Sequence, residues 1–175
     1  MIRVAVELLA AFSKLPEHGA NAIAATLPRA KFGGGQWPAP RPMKIFDDVN
    51  DAEIAAALDP KEVPCLMFWG DSQTDAPATK LYRVAKNVTI ACAYVTDSGE
   101  SPERANSESG LVLRAEALSL HRYNHQENSK GYRELNGIRV FEVTSVAQQD
   151  VTATVGRRKM WGFLEIRAIV GETLS

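Results

Sequence analysis

His121 and His125 stand four residues apart, a spacing that on a continuous helix would project both imidazoles to one side. That is the geometry of two ligands to a zinc ion. No third ligand is linked to them by a motif, and the His-Glu-x-x-His pattern is absent. The segment from Asn124 to Ser129 reads as a helix end, where histidine also suits the dipole. The expectation is therefore no metal. Gly33, Gly34 and Gly35 invite comparison with a phosphate loop, which needs a preceding strand, a following helix and Gly-Lys before Ser or Thr. Here Gln36, Trp37 and Pro38 follow, so a plain loop is expected. No serine lies in a Gly-x-Ser-x-Gly context, and neither Cys65 nor Cys92 has a motif-linked histidine. We expect no catalytic residue, no cofactor and no enzyme. His18, in a polar turn, suggests nothing. Arg157, Arg158 and Lys159 form the densest basic cluster. It suits a solvated turn, or a contact with nucleic-acid phosphates or an acidic partner.

These residues belong to a chain of 175, long enough for one good core and short for two domains. A single α+β domain over 1–175 is expected. The hydrophobic share of 45% and charged share of 23% are ordinary for a globular chain. A net charge of −1, from 20 basic and 21 acidic residues, gives no general attraction to polyanions or membranes. Cys65 and Cys92 lie in apolar, strand-like runs. A disulfide between neighbouring strands is geometrically possible, but reduced, structural thiols are expected. Arg3, Glu7 and Lys14 interrupt the first fifteen residues, so no secretory signal is read there. Nothing approaches the ~20 apolar residues of a membrane span. Folding in a reducing cytoplasm is the default, and Asn87-Val88-Thr89 then carries no meaning as a glycosylation acceptor.

The elements follow from periodicity. Val4, Leu8, Ala11 and Leu15 line one face of a helix over Ile2–Leu15, ended by Pro16. From Pro28 to Pro42 glycine and proline dictate a loop. A short helix is predicted from Asp51 to Leu58, closed by Asp59-Pro60. Cys65 to Trp69 reads as a buried strand ended by Gly70 and Asp71. A clearer strand runs from Leu81 to Thr96. Val84, Val88, Ile90, Cys92 and Tyr94 share one face; Ala85, Asn87, Thr89, Ala91 and Ala93 make a flatter one, against which a helix is expected to pack. The helix from Glu103 to Tyr123 carries two apolar stripes: Leu111, Ala115 and Leu118, and nearly opposite them Leu113, Ala117 and Leu120. One stripe meets the sheet, and the other meets the N-terminal helix or another subunit. Ile138–Val146 and Lys159–Val170 are the last strands, with Trp161, Phe163 and Ile169 alternating with Met160, Leu164, Ile166 and Val170. Gln148 to Arg158 is read as extending a long hairpin beyond the sheet. The fold class is α+β, a mainly antiparallel sheet with a long hairpin and helices packed on one face.

In this order of elements the chain resembles the tail-terminator and tail-completion (neck) proteins of long-tailed bacteriophages. The residues carrying the likeness are the N-terminal helix, the strand entered through proline (Val63-Pro64-Cys65-Leu66-Met67-Phe68-Trp69-Gly70), the long strand Leu81–Thr96, the helix around Leu111–Leu120, and Phe163-Leu164-Glu165-Ile166-Arg167-Ala168. The loop over Pro28–Pro42 has no counterpart in that pattern. The resemblance implies a structural virion protein, assembled in the host cytoplasm. It implies a homohexameric ring that caps the last ring of tail-tube protein and offers a docking face to head-completion or neck proteins. DNA would pass through its channel without being read, and no membrane is involved. Subunit or partner contacts are then expected at Leu113, Ala117 and Leu120, at Gly33, Gly34, Gly35 and Trp37, and at Arg157, Arg158 and Lys159. Two other classes fit the same residues less well. One is another neck or tube component, such as a head-closure protein or a tube subunit. The other is a small cytosolic enzyme or ligand-binding domain built around His121, His125, Trp69 and Trp161. Nucleic-acid binding would draw on the Arg157 cluster alone.

Overall fold

Runs rich in Val, Ile, Tyr, Phe and Trp become strands, and they assemble into one mixed sheet. The computed structural model describes residues 1–27, 43–46, 58–77, 82–125 and 127–173. The strands are β1 (Met43–Phe46), β2 (Cys65–Asp75), β3 (Tyr82–Asp97), β4 (Glu134–Leu135), β5 (Ile138–Val155) and β6 (Arg158–Thr173). Their spatial order is β1-β2-β3-β6-β5-β4. Strand β1 runs parallel to β2, and every other pairing is antiparallel. Among the described residues the helices are α1 (Ile2–Ser13), α2 (Ala20–Thr26) and α3 (Pro102–Tyr123), and a 3-10 turn lies at Pro60–Glu62. The α+β class with a mainly antiparallel sheet and a long hairpin is what the sequence implies. The loop over 28–42, with Gly33, Gly34, Gly35 and Trp37, lies outside the described residues, as does most of the helix expected from Asp51 to Leu58.

Two hairpin turns explain the C-terminal half. Asn136 and Gly137 both adopt positive φ, 54° and 74°, the requirement of a two-residue turn whose twist matches its strands. This turn joins β4 to β5. Gly156-Arg157 makes the second two-residue connection, between β5 and β6. The hairpin does not project beyond the sheet. Strand β3 accompanies it to the tip, pairing Asp97 with Arg158.

The helices cover one face of the sheet. The main core joins Ala5, Leu9 and Phe12 of α1, Ile23 of α2, and Val112, Leu113 and Leu120 of α3 to Leu66, Phe68, Ile90, Tyr94, Leu164 and Ile166. Leu58, Cys65, Met67, Ala93, Val95, Val155 and Met160 form a smaller cluster on the opposite face. Helix packing thus selects the bulkier face of β3, Val88, Ile90, Cys92 and Tyr94, and not the flatter alanine face the sequence suggested. Burial of large apolar groups outweighs flatness at about 25 cal/mol per Å². On α1 the stripe Val4–Leu8–Ala11–Leu15 contributes only Leu8 to the fully buried set. The inward arc is instead Ala5, Val6, Leu9, Ala10 and Phe12, because α1 is wedged between the sheet and α3.

A bulge corrects β6. Register shifts between Ala93 and Tyr94 where β3 faces β6, and Gly162 sits there with φ +74°. The extra residue turns Trp161 onto the helix face with Leu164 and Ile166, leaving Met160 and Phe163 on the opposite side. Strict alternation would have kept Trp161 and Phe163 together. Strand β2 likewise continues to Asp75 through an irregularity between Gly70 and Ser72, past the expected stop at Gly70.

Candidate functional site

Both stripes of α3 are consumed by the chain itself. Leu113, Ala117 and Leu120 are 1%, 7% and 0% exposed, within the core shared by the sheet, α1 and α2. They offer no surface, so their expected role in a subunit contact is withdrawn. The second stripe meets the chain's own N-terminal helices. The same helix carries a buried carboxylate, Glu116, at 0% exposure. Burial lifts its pKa from the usual 4.5 to about 7, against the opposing effect of its hydrogen bond with Ser13. Ser13 Oγ also lies 2.9 Å from the Leu9 carbonyl. One hydroxyl proton cannot serve both acceptors. When ionised, Glu116 accepts from Ser13 Oγ; once protonated, as it is below about pH 7, it can donate to Ser13 Oγ while Ser13 donates to Leu9. Cys92, fully buried nearby, is pushed well above its ordinary pKa by burial first and by the Glu116 charge second. A thiol so held is a poor nucleophile. Cys65 and Cys92 form no disulfide: their side chains lie on opposite faces of the sheet.

The basic cluster at the hairpin tip divides into three different residues. Arg158 is only 4% exposed. Its Nη1 donates to Asp97 Oδ2 at 2.9 Å and its Nη2 to the Leu58 carbonyl at 2.7 Å. It therefore ties the hairpin tip to the end of β3 and to the segment crossing the far face. Lys159 places Nζ 4.0 Å from the centre of the Trp161 ring, a cation–π contact. Trp161 in turn donates Nε1–H to Thr96 Oγ1 at 2.8 Å. Only Arg157 remains an exposed cation at the turn. The expected surface contact at Arg158 is withdrawn, since its charge is engaged inside the fold.

The two histidines do not share one helix. His121 is exposed in the last turn of α3, while His125 lies beyond the helix end at Asn124. Among the described residues no group of three or more His, Cys, Asp or Glu is placed to hold a metal ion. Trp69 and Trp161 are separated by the sheet. Trp69 packs edge-on to Phe163 at 6.0 Å on the far face. Among the described residues no helix is long and apolar enough to cross a membrane.

Residues with no motif do much of the organising. Arg133 donates to Tyr123 and Asn124 carbonyls at the end of α3, each at 3.0 Å, and to the Phe141 carbonyl on β5 at 3.0 Å. Its guanidinium also lies 5.3 Å over the Tyr123 ring. The Asn124 side-chain amide takes both backbone groups of Val143, N–H and C=O, at 2.8 Å each. These contacts close the outer edge of β5 as far as Val143. Beyond it, from Ser145 to Val155, the strand is exposed over most of its length, with Val151 49% accessible. Among the described residues this edge and Arg157 face outward with no described strand paired to them. Chemically the edge offers backbone hydrogen bonds to a neighbouring strand. Comparison with known protein families and with curated proteins returned no match to this chain.

Proposed function

We propose that the chain is a structural virion component, a tail terminator that forms a ring on the last ring of a phage tail tube and receives the head-neck proteins on its other side. The observation that carries this is the order of elements. An N-terminal helix (α1) precedes a strand entered through Pro64 (β2); a long strand (β3), one crossover helix (α3) and a long terminal hairpin (β5–β6) follow. That is the order of the terminator and tail-completion proteins the sequence resembles. The exposed edge of β5 supports the assignment, because a ring of identical subunits needs unlike, repeated contacts on each copy. DNA would pass through the lumen without base contacts.

Electron microscopy of the purified chain, alone and mixed with tail tubes that lack a terminator, tests this. Six-fold rings, or caps confined to tube ends, are expected. Spontaneous long tubes would assign the chain to the tube instead. Failure to bind tube ends, with stoichiometric zinc lost on changing His121 and His125 to Ala, would replace the structural role with a metal site.

A further inference from the structure

The outer side of β5 is treated in two ways along its length. Strand β4 pairs only with Ile138 and Arg139. Next, side chains take the place of a neighbour: Arg133 serves the Phe141 carbonyl and Asn124 serves both groups of Val143. From Ser145 to Val155 no described residue pairs with this side. The stretch reads Ser-Val-Ala-Gln-Gln-Asp-Val-Thr-Ala-Thr-Val, with no proline, no lysine and Asp150 as its single charge. Edge strands that must stay alone carry such guards. The protection present is slight: Asp150, and irregularities at Val143/Ser145 and between Gln149 and Thr152. The Gly156-Arg157 turn makes Val155 and Arg158 its closing pair, so alternation points the N–H groups of Thr154 and Thr152 outward.

The opposite edge of the sheet has a matching gap. Strand β1 lies along Leu66–Trp69 and leaves Ser72–Asp75, all exposed, with no described neighbour on the outer side. This stretch also lacks proline and lysine. Its ladder partners on β3 are Lys86–Thr89, whereas the open part of β5 lies beside Arg158–Arg167 of β6, which pairs with Thr89–Asp97, so the two stretches overlap only at the Thr89 row. The two gaps therefore occupy diagonally opposite corners. Lys86 already pairs with Asp75, which reduces the charge that the β2 end would bring toward Asp150.

We propose that Ser145–Val155 is a strand-addition edge, and that its occupant is the Ser72–Asp75 strand end of a second copy of this chain. Unlike edges meeting head to tail give a heterologous contact, the kind that closes a ring. The choice of a second copy rests on the ring proposed above.

Sedimentation velocity over a concentration series tests the edge, using the full chain and two variants, Thr154→Pro and Val151→Lys. Proline at an outward N–H spares the β6 ladder, so far-UV circular dichroism and melting should match the parent. Self-association should weaken by about tenfold or more in both variants. Mild oxidation of Thr74→Cys/Thr152→Cys should give cross-linked ladders, Cys65 and Cys92 being buried. Variants that associate like the parent overturn the proposal, as does a parent that stays monomeric at every concentration. Thr152→Cys alone cross-linking to its own copy overturns it too, since β5 would then meet β5. Rings that persist in both variants remove the edge but leave the ring standing. Open chains in the parent that both variants abolish would keep the edge and remove the ring.

Discussion

At the scale of single residues, the buried polar groups give the sharpest expectations. Glu116 ionises near pH 7 in the folded chain and at about 4.5 when exposed. Its folded pKa is raised, so the stabilisation from holding a neutral carboxyl is full below pH 4.5 and is lost as pH rises to about 7. The size of that loss is on the order of 3 kcal/mol. Glu116→Gln should flatten the dependence and raise stability above pH 7, while keeping a donor for Ser13 Oγ. Urea unfolding at pH 5 and pH 8 checks this, and an unchanged pH slope in the variant would refute it. Arg158 gives a second expectation. Its guanidinium spans Asp97 and the Leu58 carbonyl, a reach that one ammonium group cannot reproduce. Arg158→Lys should therefore recover little of the roughly 2 kcal/mol lost in Arg158→Ala. Equal stability of parent and Lys variant in thermal melts would show that the charge alone suffices. Neither role was legible beforehand. Arg158 reads as one of three turn cations, and Glu116 as one polar position in a helix. Their partners, Asp97 and Ser13, lie 61 and 103 residues away in sequence.

At the scale of elements, period two located β3, the start of β5 and most of β6, though β5 runs on from Val146 to Val155, and the helical period located α1 and α3. The faces were harder. Alternation fails at Gly162, where the bulge moves Trp161 to the helix side. A glycine between two aromatic residues was the available signal, and Asn136-Gly137 was the corresponding signal for the β4–β5 turn. Helix α2 lacked any strong pattern over its seven residues, Ala20–Thr26. Two constraints act at Gly162: φ is +74°, and an added Cβ would come 2.9 Å from Leu113 Cδ1. Gly162→Ala should cost about 1–2 kcal/mol in backbone strain, plus repacking of Leu113. It should also disturb the near-ultraviolet signal of Trp161, whose Nε1–H bonds to Thr96. A variant with unchanged melting and spectrum would mean that the bulge relaxes freely. Arg133 and Asn124 act at this scale as well, joining the end of α3 to the β5 edge. A polar connection gives no advance notice of such links.

At the scale of the molecule, what could be read was the layering and what could not was the ownership of surfaces. Two apolar stripes on α3 suggested either a second layer or a second subunit, and the pattern alone cannot separate them. The chain's own α1 and α2 fill that space, so outward contacts fall instead to backbone edges, which hydrophobic patterning does not register. The sheet carries a large core on its helix face and a small one on the other, with a tryptophan in each: Trp161 in the first and Trp69 against the second. Strands β2, β3 and β6 supply residues to both, so neither cluster can open without breaking ladders that support its counterpart. Unfolding should accordingly be a single transition. Denaturant curves followed by fluorescence in Trp37→Phe/Trp69→Phe and in Trp37→Phe/Trp161→Phe, each with one tryptophan left, should coincide with far-UV circular dichroism in each variant. The far-face cluster is the smaller, and Arg158 pins its crossing segment through the Leu58 carbonyl. If the curves separate, the signal retaining Trp69 should move first, and adding Arg158→Ala should widen the gap. Coincident curves in the parent that split only with Arg158→Ala would show that this one guanidinium couples the two faces.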